Sequence, residues 1–153
     1  MLTHNIKSLC LKESSNYFLT KHPDRIKELG EVFTPTPLVL EMLEKLPQET
    51  WEPNKTFLDP TCGNGQFLAA VLITKISLGH DVTKALQSVY GVDIMQDNVD
   101  ECRQRLLDIV QDIGNTKITD KHKELVNHNI LCKDGLEYDY SFEPSVVETL
   151  FEW

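Results

Sequence analysis

A turn with two glycines is the part of the sequence whose composition first suggests ligand chemistry. It reads Asp-Pro-Thr-Cys-Gly-Asn-Gly-Gln-Phe over residues 59–67 and follows a short apolar segment. Gly63 and Gly65 allow the backbone to approach a ligand closely, although an ordinary tight turn would also explain them. The dinucleotide-binding fingerprint needs a further glycine where Leu68 stands, so the pattern disfavours a bound pyrophosphate.

Two further acidic residues follow apolar segments and could complete a nucleoside site. The Asp93 carboxylate could accept hydrogen bonds from both hydroxyls of a ribose, and Ile94 would offer an apolar face to an adenine ring. Asp134 could accept a hydrogen bond from the adenine amino group, with Leu136 packed on the ring. Either aspartate alone is more often a strand-end cap or a turn residue. Together with Asp59 and the glycine turn, they indicate one ligand site.

The elements that must position these residues follow from the hydrophobic pattern. Three short apolar segments, residues 55–58, 88–92 and 129–132, are typical of buried strands. Apolar residues at helical spacing predict helices between and before them, and the polar residues 115–127 are expected to be partly helical. Because helix and strand alternate, the pattern predicts an α/β fold with a parallel sheet of about three strands. Ligands of such sheets bind at the carboxyl ends of the strands, where the aspartates stand. The predicted helices cover residues 6–29 (one or two helices, broken near Pro23), 38–46, 67–76, 82–87 and 97–113.

Two motifs resemble those of the N6-adenine DNA methyltransferases of restriction–modification systems. Residues 30–35 read Gly-Glu-Val-Phe-Thr-Pro, similar to the Gly-x-x-x-Thr-Pro element that opens the catalytic domain of that family. Residues 59–68 resemble its main cofactor motif nearly residue for residue. The resemblance covers about residues 30–140. It implies a partial Rossmann-like, class I methyltransferase sheet flanked by helices, and binding of S-adenosylmethionine.

The resemblance also implies which residues hold the cofactor. Thr34 and the backbone of residues 61–65 would hold the amino acid moiety, Asp93 the ribose, and Asp134 with Gly135 the adenine. The candidate cofactor-binding residues are therefore Thr34, Asp59, Pro60, Thr61, Gly63, Asn64, Gly65, Phe67, Asp93, Ile94, Asp134, Gly135 and Leu136. We expect one domain over residues 1–153, with a helical lead-in (1–29), a cofactor-binding core (30–140) and a C-terminal tail (141–153).

The catalytic motif of the family is absent from the sequence. In the family, an Asp/Asn/Ser-Pro-Pro-Tyr/Phe element after the fourth strand orients the amine of a flipped adenine. No Pro-Pro dipeptide occurs among the 153 residues, so no catalytic residue is assigned. Either a longer natural chain supplies that strand, or the tail, a second copy or another partner covers the free edge of the first strand. In the second case we expect Phe151 and Trp153 to anchor the contact.

The composition of the chain limits which binding partners are expected. The net charge of −9 argues against binding DNA with the whole surface, so DNA would be reached through a partner or a missing domain. The four cysteines and five histidines are scattered, which predicts no metal site and free thiols in a reducing, cytoplasmic compartment. No stretch approaches the roughly 20 apolar residues that span a bilayer, so no membrane partner is expected.

Three functions remain open at this stage. The leading one is an adenine-N6 DNA methyltransferase-family protein that binds S-adenosylmethionine and needs a partner or missing segment for methyl transfer. The alternative is a non-catalytic S-adenosylmethionine-binding module with a regulatory or interaction role. A small-molecule or protein methyltransferase ranks lower, because the Thr-Pro element of residues 34–35 points to the DNA-modifying enzymes.

Overall fold

Helices and strands alternate along the part of the chain that the structure describes. The structure is a computed structural model and describes residues 2–142. A single turn of 3-10 helix, Gln48–Trp51, precedes the first strand. In chain order the other elements are α1 (His4–Ser14), α2 (Pro23–Leu29), α3 (Thr36–Glu44), β1 (Phe57–Asp59), α4 (Gln66–Ser77), α5 (Val82–Gln87), β2 (Val89–Asp93), α6 (Gln96–Asp112), α7 (Asp120–Asn129) and β3 (Ile130–Cys132).

The three strands form one parallel sheet in the order β1-β2-β3. Asp59 of β1 lies opposite Gly91, and Asp93 of β2 lies opposite Cys132. The strands are parallel, so their carboxyl ends, with Asp59 and Asp93, lie at the same end of the sheet. The predicted α/β fold with a partial, Rossmann-like parallel sheet is confirmed, and each strand begins one or two residues later than predicted.

Helix α4 lies at the centre of the molecule because its middle is apolar on all sides. Each of residues 68–73 is at most 2% exposed, and the helix packs against the sheet and against α1, α3 and α6. A helix that is apolar all round is stable only in the interior. Gly91 allows the close approach of α4 to β2, since a Cβ there would lie 2.8 Å from Leu68 Cδ1.

In the described residues, aromatic side chains around Phe142 lie against the opposite face of the sheet. Leu58 and Tyr90 are paired in register on that face, and the ring of Phe142 packs edge-on against Tyr90 with 4.9 Å between centroids. Leu58 remains 49% exposed. Phe151 and Trp153, the predicted anchors of a partner contact, lie outside the described residues.

The N-terminal helices belong to the same packed structure as the sheet. Leu2, Ile6 and Cys10 are buried in the common hydrophobic core, and α1 packs on α3 and α4. Pro23 is the first residue of α2, where its missing N–H costs nothing, and the break in the lead-in precedes it. Gly30 ends α2 with φ +64°, as predicted. The division into lead-in, core and tail stays a prediction.

The polar segment before β3 contains a regular helix, α7. A capping box begins it: the Thr119 side chain caps the N-terminus, and the Thr119 backbone N–H donates to His122 Nδ1 at 3.1 Å. Leu125 and Val126 are buried on its inner side. The expectation of partial helix over residues 115–127 is confirmed.

Candidate functional site

Two neighbouring cavities open at the carboxyl ends of the strands. The first, here called the turn cavity, has a volume of about 380 Å³ and lies between residues 30–34 and the turn that joins β1 to α4. The second, here called the strand-end cavity, has a volume of about 590 Å³ and extends to the turn after β3. Thr61, Asp93 and Ile94 line both cavities. The two cavities therefore meet at Asp93.

The structure brings most of the predicted site residues to these cavities. Asp93 and Ile94, with Thr61, stand at the junction. Of the predicted residues, the turn cavity is also lined by Thr34, Asp59, Gly63 and Phe67, and the strand-end cavity by Pro60, Asp134, Gly135 and Leu136. Asn64 and Gly65 line neither cavity. That these residues bind a ligand stays a prediction.

The β1–α4 turn needs its two glycines for different close contacts. Gly63 has φ +54°, and a Cβ there would lie 2.8 Å from the ring of Phe33. Gly65 has φ +95°, and a Cβ there would lie 2.8 Å from Cys102 Sγ. A side chain at either position would meet both an unfavourable backbone conformation and a neighbouring atom. The turn thus packs tightly between residues 30–34 and α6.

Cys62 contributes a neutral thiol to the turn cavity. Its side chain lines the cavity and is only 4% exposed. The hydrogen bond with Cys102, together with burial, raises the pKa of Cys62 far above its usual value. The reactive form of cysteine is the thiolate, so this thiol serves as a small, unreactive wall group.

The Asp93 carboxylate is held by three donors from the protein. Oδ1 accepts the Gly63 N–H at 3.1 Å, and Oδ2 accepts the Met95 N–H at 3.1 Å and Asn98 Nδ2 at 3.0 Å. A carboxylate offers about four acceptor positions. The arrangement therefore leaves room for one ligand hydroxyl, whereas the sequence suggested that both ribose hydroxyls bind here. The second hydroxyl would need one of the three donors to move.

Asn98 also connects Asp93 to the lead-in helices. Its Nδ2 donates to Glu31 Oε2 at 2.9 Å, and Arg25 forms an ion pair with Glu31 at 2.9 Å. The same guanidinium donates two hydrogen bonds to Asp97, at 2.6 and 3.0 Å, and lowers the pKa of that carboxyl. This chain of contacts fixes residues 30–34, one wall of the turn cavity, against α6.

The turn cavity has an acidic lining. Asp59, Asp93 and Glu31 all line it, and the charge of Glu31 is compensated from outside by Arg25. Asp59 Oδ1 accepts the Thr61 N–H at 3.1 Å. Burial, followed by the nearby charge of Asp93, raises the pKa of Asp59. A cationic ligand group would be stabilised by these carboxylates, and would in turn lower the pKa of Asp59.

The turn after β3 forms the far wall of the strand-end cavity. Asp134 Oδ1 accepts the Leu136 N–H at 2.9 Å and so stabilises the turn. Gly135 lies close to β1, since a Cβ there would be 2.6 Å from the Pro60 carbonyl oxygen. The side chains of Leu136 and Ile94 are 98% and 59% exposed. The cavity thus offers two uncovered apolar side chains and an Asp134 carboxylate with one oxygen engaged.

Asn64 is turned away from both cavities. Its side chain is 1% exposed, with Nδ2 donating to Glu101 Oε1 at 2.9 Å. Its Oδ1 faces Arg105 Nη1 at 3.4 Å, and Arg105 forms a buried ion pair with Glu13 at 2.7 Å. Gly65, beside it, donates its N–H to the Cys62 carbonyl at 2.8 Å. The Asn64 side chain therefore joins the turn to α1 and α6.

Several residues at the site were missed by the sequence reasoning. Glu31, Phe33 and Gln66 line the turn cavity. All three lie inside the two motifs quoted from the sequence, so the full length of each motif was the signal that could have found them. Asn98, on α6, lies outside both motifs and gives no such signal. Its role follows only from its contacts with Asp93 and Glu31.

The described residues contain neither a cluster of potential metal ligands nor a membrane-spanning helix. Within residues 2–142, no three histidine, cysteine, aspartate or glutamate side chains gather as potential metal ligands. No helix in the same part of the chain has both the length and the apolar character needed to cross a membrane.

Comparison with known proteins gives one clear result. The profile of the N-6 DNA Methylase family matches residues 11–143 of the chain. The matched region contains both sequence motifs and all residues that line the two cavities. Neither the curated proteins nor the solved structures gave a match.

Proposed function

The chain belongs to the N-6 DNA methylase family, and we propose that it binds S-adenosylmethionine in the two joined cavities. The methionine part lies in the turn cavity, the ribose at Asp93 and the adenine in the strand-end cavity. One observation carries the proposal. Asp93 stands where an acidic cavity meets a cavity with exposed apolar side chains, as a ligand with a central sugar requires.

The strand-end cavity suits an adenine ring. Ile94 and Leu136 are exposed there, and an aromatic ring between them would remove apolar surface from water at about 25 cal/mol per Å². Asp134 accepts one backbone hydrogen bond through Oδ1, and its other oxygen can accept the adenine amino group.

The turn cavity suits the amino acid end of the cofactor. The amides in the first turn of α4, which begins at Gln66, have no acceptor within the helix, so they favour a ligand carboxylate. Asp59, Glu31 and Asp93 favour the sulfonium and ammonium groups. The cavity therefore separates donors for the anionic group from acceptors for the cationic groups.

Methyl transfer needs a catalytic element besides this site. The sulfonium is an activated donor, so the main task of the enzyme is to align the adenine amine with it. No Pro-Pro element occurs in the 153 residues to provide that alignment. We infer that the element comes from a further segment or from a partner, with DNA adenine as the methyl acceptor. The free thiols agree with a reducing cytoplasm, and the motifs agree with restriction–modification systems.

Within residues 2–142 no strand pairs with the outer edge of β1, and this edge is where such an element would dock. Phe57 donates its N–H to the carbonyl of Ser88, the residue before β2. Because hydrogen bonds alternate along a strand, the Leu58 N–H and C=O point outward. Beside this edge lies a groove of about 290 Å³ between α3, β1 and α4, lined mainly by apolar side chains such as Met42 and Leu46. An added strand would satisfy the Leu58 backbone and cover the groove.

A non-catalytic binding module is the second candidate, and the absence of a Pro-Pro element from the 153 residues favours it. The two candidates differ in turnover. Purified protein and tritiated S-adenosylmethionine, incubated with unmethylated DNA, should give no label in DNA until the catalytic element is added. Incorporation by the chain alone, abolished by Asp93→Ala, would contradict the need for an added element.

Calorimetric titration of S-adenosylmethionine tests the binding proposal. Saturable binding by the intact protein should weaken about 10- to 100-fold in Asp93→Ala, the range expected when a hydrogen bond to a charged group is lost. Asp100→Ala is the matched control, because Asp100 is an exposed aspartate of α6 that lines neither cavity. Absence of binding, or equal losses in both variants, would refute the assignment of the site.

A further inference from the structure

Gln66 presents an unsatisfied polar atom at the turn cavity. The side chain lines the cavity and is 8% exposed. Its Nε2 donates to the Thr34 carbonyl at 2.7 Å and lies 3.4 Å from Thr36 Oγ1. Its Oε1 is buried and has no hydrogen-bond partner among the described residues. A buried acceptor without a donor is costly, and such atoms in folded proteins usually have a specific explanation.

The orientation of this amide is fixed by its neighbour. The Thr34 carbonyl can only accept a hydrogen bond, so the nitrogen of the Gln66 amide must face it. Oε1 consequently points away from Thr34 and can be satisfied only by a donor. A ligand carboxylate is excluded at this atom, whereas an ammonium group, which carries three donors and no acceptor, is suitable.

Resting on the proposed function, we propose that Gln66 Oε1 accepts a hydrogen bond from the α-ammonium group of S-adenosylmethionine. Gln66 is then a specificity-determining residue for the amino acid end of the ligand. Among the other donor groups of the ligand, one ribose hydroxyl is assigned to Asp93 and the adenine amine to Asp134.

Oε1 is buried, so contact with an ammonium group requires the Gln66 amide to rotate until Oε1 faces the turn cavity. The terminal torsion of glutamine is soft, with a broad distribution of angles. Nε2 has two acceptors within reach, Thr34 at 2.7 Å and Thr36 at 3.4 Å, so it can move toward Thr36 without losing all its hydrogen bonds. In this rotation Oε1 would turn toward the cavity, where an ammonium group could reach it. Ligand binding and this rotation stabilise each other.

The test compares ligands that share the nucleoside and differ in the amino acid end. 5′-Methylthioadenosine has no amino acid end, and decarboxylated S-adenosylmethionine keeps the amine without the carboxylate. Dissociation constants of both ligands and of S-adenosylmethionine are measured by calorimetry for the intact protein, Gln66→Met and Gln66→Glu. Gln104→Met is the matched control, since Gln104 is an exposed glutamine of α6 that bonds to Asp108. Melting curves establish that each variant is folded.

The expected result is a selective loss. Gln66→Met should bind S-adenosylmethionine and its decarboxylated form about tenfold more weakly, while binding of 5′-methylthioadenosine changes less than about twofold. Gln66→Glu keeps an acceptor for the ammonium but loses the donor to the Thr34 carbonyl, so it should bind all three ligands more weakly and still prefer the two that carry the amine. Gln104→Met should change none of the three constants.

Each of four other results would overturn the proposal, for different reasons. Equal weakening of all three ligands in Gln66→Met, or loss of the preference in Gln66→Glu as well, would show that Gln66 only supports the cavity wall. If Gln66→Met binds decarboxylated S-adenosylmethionine as tightly as the intact protein does, the ammonium is not the group that Gln66 recognises. If the intact protein binds none of the ligands, the proposed function itself fails, and the role of Gln66 with it.

Discussion

Asp93 combines two tasks at the scale of the single residue. It holds the β1–α4 turn through the Gly63 N–H and it receives the Asn98 amide, which also contacts Glu31. Asp93 lines both cavities, and its three contacts leave one acceptor position for a ligand. Substitution of Asp93 therefore removes the proposed ligand contact and also loosens the turn, so binding data on its variants need a measurement of stability beside them.

Gly63 gives a sharper test of how the turn supports the site. Gly63→Ala adds a Cβ that would lie 2.8 Å from the Phe33 ring, at φ +54°. Gly79→Ala is the matched control, because Gly79 also has a positive φ, +89°, with no atom within 4 Å of the added Cβ. Urea unfolding should show a loss for Gly63→Ala that exceeds the control by about 1–3 kcal/mol, the usual cost of overpacking.

The same pair of variants separates stability from binding. Gly63→Ala should also weaken S-adenosylmethionine binding, because Phe33 and residues 30–34 must move, whereas Gly79→Ala should leave the dissociation constant unchanged. Equal effects of the two variants on both quantities would contradict the tight packing of the turn against Phe33.

Whether the role of a single residue can be predicted from the sequence depends on how far away in the chain its contacting residues lie. Most of the residues that line the cavities come from two motifs and two strand ends, so their positions could be predicted from local patterns. Asn64 lies in the same motif, but its side chain turns to Glu101 and Arg105 on α6. Contacts between residues this far apart in the chain leave no local pattern. The role of Asn98 was unpredictable for the same reason.

At the scale of elements, a buried lysine connects α4 to the starts of two strands. Lys75 is fully buried, and its Nζ donates to the Lys55 carbonyl at 2.6 Å and to Ser88 Oγ at 2.7 Å. It also lies 5.3 Å from the centroid of the Phe57 ring. No carboxylate forms an ion pair with it within the described residues. Burial accordingly lowers the pKa of Lys75 to about 8.

This lowered pKa predicts a pH dependence of stability. Below pH 8 the amine is charged in both the folded and the unfolded protein, and the penalty of burying the charge is fully present. Between pH 8 and the ordinary lysine pKa of 10.5, the unfolded chain binds the proton more strongly than the folded chain does. The free energy of unfolding therefore rises with pH in this range. Urea unfolding at several pH values should show this rise in the intact protein and a smaller one in Lys75→Met. Identical pH profiles would contradict it.

The strands and most helices were predictable because their signals are local. Each strand is a short apolar segment ended by an acidic or polar turn, and α4 and α6 repeat apolar residues at helical spacing. The predicted boundaries differ by one or two residues, since backbone pairing decides where a strand begins. Helix α7 was harder to predict because its sequence is mainly polar and its capping box uses His122 where glutamate or glutamine is usual.

At the scale of the whole molecule, charge and topology both suggest that cofactor binding and DNA contact are carried out by different parts of the protein. A net charge of −9 provides little attraction for DNA. The described residues form the two joined cavities at one end of the sheet and leave the outer edge of β1 unpaired. On this account, the chain holds the methyl donor, while DNA contact and alignment of the adenine depend on what joins that edge.

The central claim is that S-adenosylmethionine binds where the two cavities meet. An NMR titration of ¹⁵N-labelled protein reports on this most directly, because each backbone amide is observed separately. We predict saturable shift changes at Thr61, Gly63, Ile94 and Gly135, with little change in α5 (Val82–Gln87), which precedes β2 at the opposite end of the sheet. Shift changes confined to α5 and its surroundings, or none at saturating ligand, would contradict the account.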